Sequence, residues 1–199
     1  MATGVNIRVE VHSAEVEALL ARIAAVGADA TPFMREVGQY LLSATERRFE
    51  TARGPGGVPW QRLSKRTARE RIKKGYGTTN ILKRSGDLKN SIAIGGAIVT
   101  ADSVEIGTNV PYAAIQQFGG TIKREAHTQT IYQHYDAKSD TFDQRFRKKE
   151  KSNFARDVAV GAYEITIPAR PYLGIDAEDA REIEAIGEAF LAKVAGGAP

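Results

Sequence analysis

The stretch SIAIGGAIVTADSVEIGT, residues 91–108, decides the fold class. Its large apolar residues, Ile92, Ile94, Ile98, Val99, Val104 and Ile106, are all β-branched. Ala101-Asp102-Ser103 interrupts them with turn-forming residues. Residues 91–100 and 104–108 therefore read as two antiparallel strands joined by a tight connection. Just ahead, Ser85-Gly86-Asp87-Leu88 reads as a turn in which Asp87 bonds local backbone.

Further upstream the period changes. Val5, Ile7, Val9 and Val11 alternate with polar residues as a half-buried strand does. Ser13 is placed to cap a helix in which Val16, Leu19, Leu20, Ile23 and Val26 share one face and which Gly27 ends. Thr31-Pro32 signals a second start, for a helix burying Phe33, Val37, Tyr40, Leu41 and Ala44 and running to about Thr51. Residues 53–59 carry three glycines and two prolines and read as a loose loop. Ser64 then opens a short helix whose only apolar stripe is Leu63, Ala68 and Ile72, so a mobile surface element is expected.

Downstream, Tyr112–Phe118 is one or two helical turns stopped by Gly119-Gly120. Residues 121–133 and 158–167 are strand-like. Between them, 136–157 is polar and basic, with Phe142, Phe146 and Phe154 as its large apolar anchors. This is the pattern of a β-ribbon whose exposed tip orders against a neighbour. Asp176 caps a last helix with Glu178 and Asp179 at its positive end, and Ile183, Ile186, Phe190 and Val194 line its buried face. The expected architecture is α+β: a mainly antiparallel β-sheet with helices packed on one face, plus a long β-ribbon excursion (121–167) and a basic loop (53–80). One domain is expected to span 1–199. Strict β/α alternation is absent, which disfavours a doubly wound parallel sheet.

The net charge of +4 conceals segregation. Residues 47–89 hold 13 Lys/Arg against three acids, and residues 123–156 hold nine against five. The segments 1–46, 90–122 and 157–199 carry −3, −2 and −5. Such a pattern fits contact with nucleic acid, head-to-tail self-assembly or a solvated surface, and composition alone separates none of these.

Catalytic signatures are missing. There is no cysteine, nucleophile elbow, Walker loop or dinucleotide-binding glycine motif. His12 falls on the polar face of the first strand, and His127 and His134, seven apart, point to opposite faces of a strand, so no metal site or other cofactor is expected. No apolar run reaches 18 residues, and the opening MATGVNIRVEV lacks the basic and apolar regions of a secretion signal. A soluble protein without membrane contact is expected.

Several segments together resemble one family, the virion morphogenesis proteins of tailed bacteriophages, which includes the Mu-like morphogenesis protein and the tail-completion proteins. The segments are residues 60–67 (WQRLSKRT), 81–88 (ILKRSGDL), 104–109 (VEIGTN), 112–120 (YAAIQQFGG) and 167–174 (IPARPYLG). Their order and spacing cover roughly residues 33 to 195. The resemblance implies a structural component of the virion neck or tail end, assembled in the host cytoplasm, that completes the tail or joins it to the head. Related tail terminators form hexameric rings, so the implied partners are further copies of the chain, the tail tube and the head–tail connector.

The residues themselves suit a joint. Pro168 and Pro171 hold Ala169-Arg170 extended. Arg170 then serves either as an anchor for a carboxylate on the next copy or as an internal salt bridge that ties the strand to the sheet, while Tyr172 turns toward the core. Tyr172 beside Arg170, and Gln116 and Gln117 at the end of a short helix, are further interface candidates. So are the exposed cations Arg62, Lys65, Arg66 and Arg69 of the basic loop and Arg147, Lys148 and Lys149 of the ribbon. Trp60 is the lone tryptophan; sealing the glycine-rich loop suits it better than stacking on a nucleobase, since single-strand binders interleave several aromatics. Non-specific contact of the basic run with genomic DNA, a DNA-binding packaging factor and a transient capsid-assembly factor are the alternatives.

Overall fold

Thr31–Thr51 forms a 21-residue helix around which the first part of the protein is organised. The computed structural model describes residues 14–25, 27, 29–79, 81–143 and 145–196. The strand expected at Val5–Val11, His12, the Ser13 cap and Val26 lie outside the described residues. The chain divides into two compact units. One comprises the described residues up to Gly119 together with those from Pro168; the other is Gly120–Ile167.

In the first unit, helix α1 (Ala14–Ala25) precedes α2 (Thr31–Thr51). The start of α2 differs from expectation: Thr31 is not its cap. The carboxylate of Asp29 accepts from both the Thr31 N–H (2.9 Å) and hydroxyl (2.6 Å), and so supplies the capping oxygen from outside the helix. Next come α3 (Lys65–Lys73), α4 (Asp87–Gly95), strands β1 (Ala97–Val99) and β2 (Val104–Ile106), and α5 (Ala113–Phe118). The last helix, α6 (Ala177–Gly196), closes the unit.

The largest departure from the sequence reading is α4, where the first half of the expected strand 91–100 and the turn at Asp87 are helical. Gly86, at φ 87°, admits the chain to the helix, and Asp87 stands in the first turn where its charge suits the positive end. Leu88 and Ile92, four apart, are buried, whereas Ile94 is 86% exposed. In a strand Ile92 and Ile94 would share one face, so this split marks the helix. The hairpin survives as Ala97–Val99 against Val104–Ile106, and its turn closes where expected, Thr100 N–H to Ser103 carbonyl at 2.9 Å.

Two apolar clusters share α2. Phe33, Met34 and Val37 pack with Leu19, Ile23 and Ile183 from α1 and α6. Phe49 packs with Trp60, Leu88, Ile92, Tyr172 and Leu173. Midway, Gly38 lets β1 and β2 approach, because a Cβ there would lie 2.8 Å from the Ala97 Cβ. Gly38→Ala is expected to destabilise by about 1–3 kcal/mol through overpacking, against a helix-propensity gain of about 1. Urea titration checks this, and adding Ala97→Gly should recover part of the loss.

The loop at 53–59 is tighter than the loose segment expected. Arg53 and Pro59 form a bridge, the Gly54 N–H bonds the Val58 carbonyl (2.8 Å), and the Trp60 N–H bonds the Ala52 carbonyl (2.9 Å).

The second unit is a ribbon. Strand β3 (Gly120–Arg124) pairs antiparallel with β8 (Tyr163–Ile167), and β4 (His127–Gln133) with β7 (Phe154–Val160). A small hairpin, β5 (Tyr135–Asp136) with β6 (Thr141–Phe142), decorates the tip. The fold is thus α+β with antiparallel pairing, and among the described residues every sheet has two strands. Register places Ile122 opposite Ile165 and Gly120 opposite Ile167 on one face, with Lys123 opposite Glu164 on the other.

Candidate subunit interface

The segment Pro168–Gly174, singled out by its prolines and arginine, buries Arg170, Tyr172 and Leu173 in the first unit, and side chains from three places in the sequence hold its backbone. Gln117 does most. Its Oε1 accepts from the Tyr172 N–H (2.9 Å) and the Leu173 N–H (3.1 Å), and its Nε2 donates to the Leu173 carbonyl (2.8 Å). The amide thereby replaces a neighbouring strand for two residues. Trp60 Nε1 donates to the Pro171 carbonyl at 2.7 Å, and Arg48 donates to the Gly174 carbonyl at 2.7 Å. The Gln116 carbonyl accepts from the Arg170 N–H at 2.8 Å.

These contacts correct part of the expected interface. Tyr172 has no exposed surface; its ring lies 5.3 Å from that of Phe49, and its hydroxyl donates to the Ala113 carbonyl at 3.2 Å. Burial pushes the Tyr172 phenol well above its ordinary value. Gln117 is buried. Arg170, also buried, donates to the Gln61 carbonyl (3.0 Å) and reaches Gln116 Oε1 (3.4 Å). Its partners are carbonyl oxygens, so it is an internal tie of a different kind from the salt bridge weighed above. Burial holds its guanidinium below the usual value, and the like charge of Arg71 adds to this. Gln116, half-buried, spends carbonyl and side chain on Arg170. Trp60 is buried against Phe49, edge to face at 5.7 Å, and seals the loop as expected.

A buried ionic cluster that the sequence reading missed braces the same segment. Arg48 pairs with Asp179, both almost fully buried, and the Tyr40 hydroxyl donates to the same carboxylate at 2.9 Å. Asp179 also accepts from the Asp176 N–H (3.0 Å), while Asp176 accepts from the N–H groups of Glu178 (2.9 Å) and Asp179 (3.0 Å). This is a reciprocal cap in which two aspartates satisfy the first turn of α6. Burial raises the Tyr40 phenol to about 12, with its hydrogen bond to Asp179 adding to the effect. Burial also works to raise the Asp176 carboxyl, but the N–H donors of Gly56, Asp179 and Glu178 and the charge of Arg48 outweigh it and leave it below its usual value.

The remaining candidates face solvent. The Ser64 Oγ caps α3 by accepting from the Thr67 N–H at 3.2 Å, as its position suggested. Arg62, Lys65, Arg66 and Arg69 are exposed, Arg66 pairing loosely with Glu70 one turn on (3.3 Å). In the second unit Arg147 is engaged by Asp143, while Lys148 and Lys149 are exposed, and no ion pair is recorded for either among the described residues. Phe142 stacks between Tyr135 and Phe154, with centroids 5.0 and 4.8 Å apart. Phe146 is 71% exposed, so it is not the apolar anchor expected of it within its own unit.

Among the described residues no group of three or more His, Asp or Glu is placed to hold a metal ion, and no helix is long and apolar enough to cross a membrane. The first unit is internally locked, and the second is a thinly buried ribbon that presents cations and an aromatic side chain. A model of the phage virion morphogenesis family matches residues 11–192. The chain is 32% identical over 121 residues to "Mu-like prophage FluMu G protein 2" of Haemophilus influenzae, a match covering 59% of this chain and 74% of that protein. No solved structure matches.

Proposed function

Because this chain belongs to the phage virion morphogenesis family, we propose that it completes the phage tail and joins it to the head by associating with its own copies into a ring. A structural part in building the virion follows from the family itself. The finer reading rests on one observation, the ribbon β3–β8 and β4–β7. Two-stranded ribbons are marginal in water. This one leaves most of its residues exposed, including Tyr163 and Ile165 at more than two-fifths. Burying its apolar face against a neighbour supplies the missing stabilisation.

The mechanism is mechanical and involves no catalysed step. Arg62, Lys65, Arg66 and Arg69, with Lys148 and Lys149, offer cations to acidic surfaces of adjoining copies. A hexameric ring at the neck caps the tail tube on one side and meets the head–tail connector on the other. The exposed cations of α3 favour a second reading, a packaging factor that binds DNA through its phosphates. Its mark would be duplex affinity falling steeply with salt.

The test is the mass of the purified protein in solution together with its copy number in purified virions. A hexameric mass and a fixed small number of copies per particle are expected. A protein that stays a single chain at high concentration and is absent from finished particles would reject the reading.

A further inference from the structure

We propose that the ribbon tip of one copy docks through Phe146 and the nearby Lys148 and Lys149 into the groove between α1 and α6 of the next copy. The proposal rests on the self-association above and names the surfaces that carry it.

The tip has an unusual make-up. Residues 145–151 contain Arg145, Arg147, Lys148, Lys149 and Lys151 against Glu150 alone, a local charge of +4. Asp143 satisfies Arg147. The backbone there is ordered locally, with the Arg147 N–H bonded to the Tyr132 carbonyl (2.8 Å) and the Lys151 N–H to the Lys148 carbonyl (2.9 Å). Phe146 is thus an apolar side chain held out in water amid cations. Its complement is an acidic surface with an apolar recess. Nucleic acid fits less well, since Phe142, Tyr135 and Phe154 stack on one another and leave one free ring where single-strand binders use several.

The chain carries such a recess itself. Ala18 and Leu19 floor a shallow groove between α1 and α6, and Arg22, Glu184 and Glu188 form its sides. Arg22 is matched by Glu188, with Nη2 to Oε2 at 3.2 Å, which leaves Glu184 as surplus negative charge. Helix α6 itself carries five acids against Arg181 and Lys193, a net −3. Tip and groove are different surfaces, so the contact is heterologous and propagates from copy to copy until a ring closes.

Sedimentation analysis of three exchanged variants provides the test. Lys148→Glu/Lys149→Glu and, separately, Glu184→Lys/Glu188→Lys are expected to weaken self-association at least about tenfold. All four changes in one chain restore it. Mixing the two double variants also restores growth, as an alternating 1:1 assembly, because the native tip of one chain meets the native groove of the other and the exchanged tip meets the exchanged groove. Phe146→Asp, at a position exposed within its own unit, weakens association with no change in melting temperature. Melting curves establish that every variant is folded. Undiminished assembly of folded variants would overturn the tip-and-groove contact while leaving ring formation standing. A wild-type chain that never self-associates would overturn both.

Discussion

Arg48→Met is expected to lower stability by about 3–5 kcal/mol, because it strands a buried carboxylate. Asp179 would keep the Tyr40 hydroxyl and the Asp176 N–H but lose its counter-charge, and the Gly174 carbonyl would lose its donor. Replacing both ions, Arg48→Met with Asp179→Leu, should recover much of the loss, since a well-packed apolar pair often matches a buried ion pair. Urea unfolding of the wild type, the single and the double variant measures this. A single-variant loss below about 1 kcal/mol would place the pair among weakly coupled surface ions. The cluster also gives the fold an alkaline limit. With the Tyr40 phenol raised from 10.0 to about 12, its contribution is complete below pH 10 and is lost as pH rises toward 12. Tyr40→Phe should remove that part of the pH dependence. On the acid side, the lowered Asp176 carboxyl contributes stability that disappears as pH falls through its folded-state value.

Gln117→Leu is the second large effect. The substitution keeps the bulk and removes the amide, leaving the Tyr172 and Leu173 N–H groups and the Leu173 carbonyl without their partner. At about 1–3 kcal/mol for each buried unsatisfied group, a loss of about 3 kcal/mol or more is expected. Because this lock lies inside one unit, unfolding should shift to lower denaturant while the folded protein associates as before. Gln117→Glu separates packing from hydrogen bonding: it retains the two acceptor contacts and abolishes the donor to Leu173. A variant as stable as the wild type by urea titration would show that the segment finds other partners.

How far the sequence reveals this arrangement depends on the range of the interaction. The Ser64 and Asp176 caps, the Thr100–Ser103 turn and the two long helices rest on neighbours a few residues apart, and each was legible. The Ile92–Ile94 stretch misled because β-branched residues suit strands, while the deciding fact, burial of Leu88 and Ile92 together, belongs to tertiary packing. Thr31-Pro32 looked like a cap, yet Asp29 two residues earlier supplied the oxygen. The family-like segments 112–120 and 167–174 were visible as motifs, but their purpose was not. Only the fold reveals that Gln117 clamps Tyr172 and that Arg170 ends on the Gln61 carbonyl, more than 100 residues away. Arg48 and Asp179 gave no local sign at all, being 131 positions apart.

Gly120 and Ile167 face each other as the first pair of the ribbon, so the chain leaves and re-enters at adjacent positions. A cassette joined to the rest at one point can be lengthened, shortened or exchanged for a foreign hairpin without re-threading its host. That makes the cassette the natural place to graft a tag or a cross-linker.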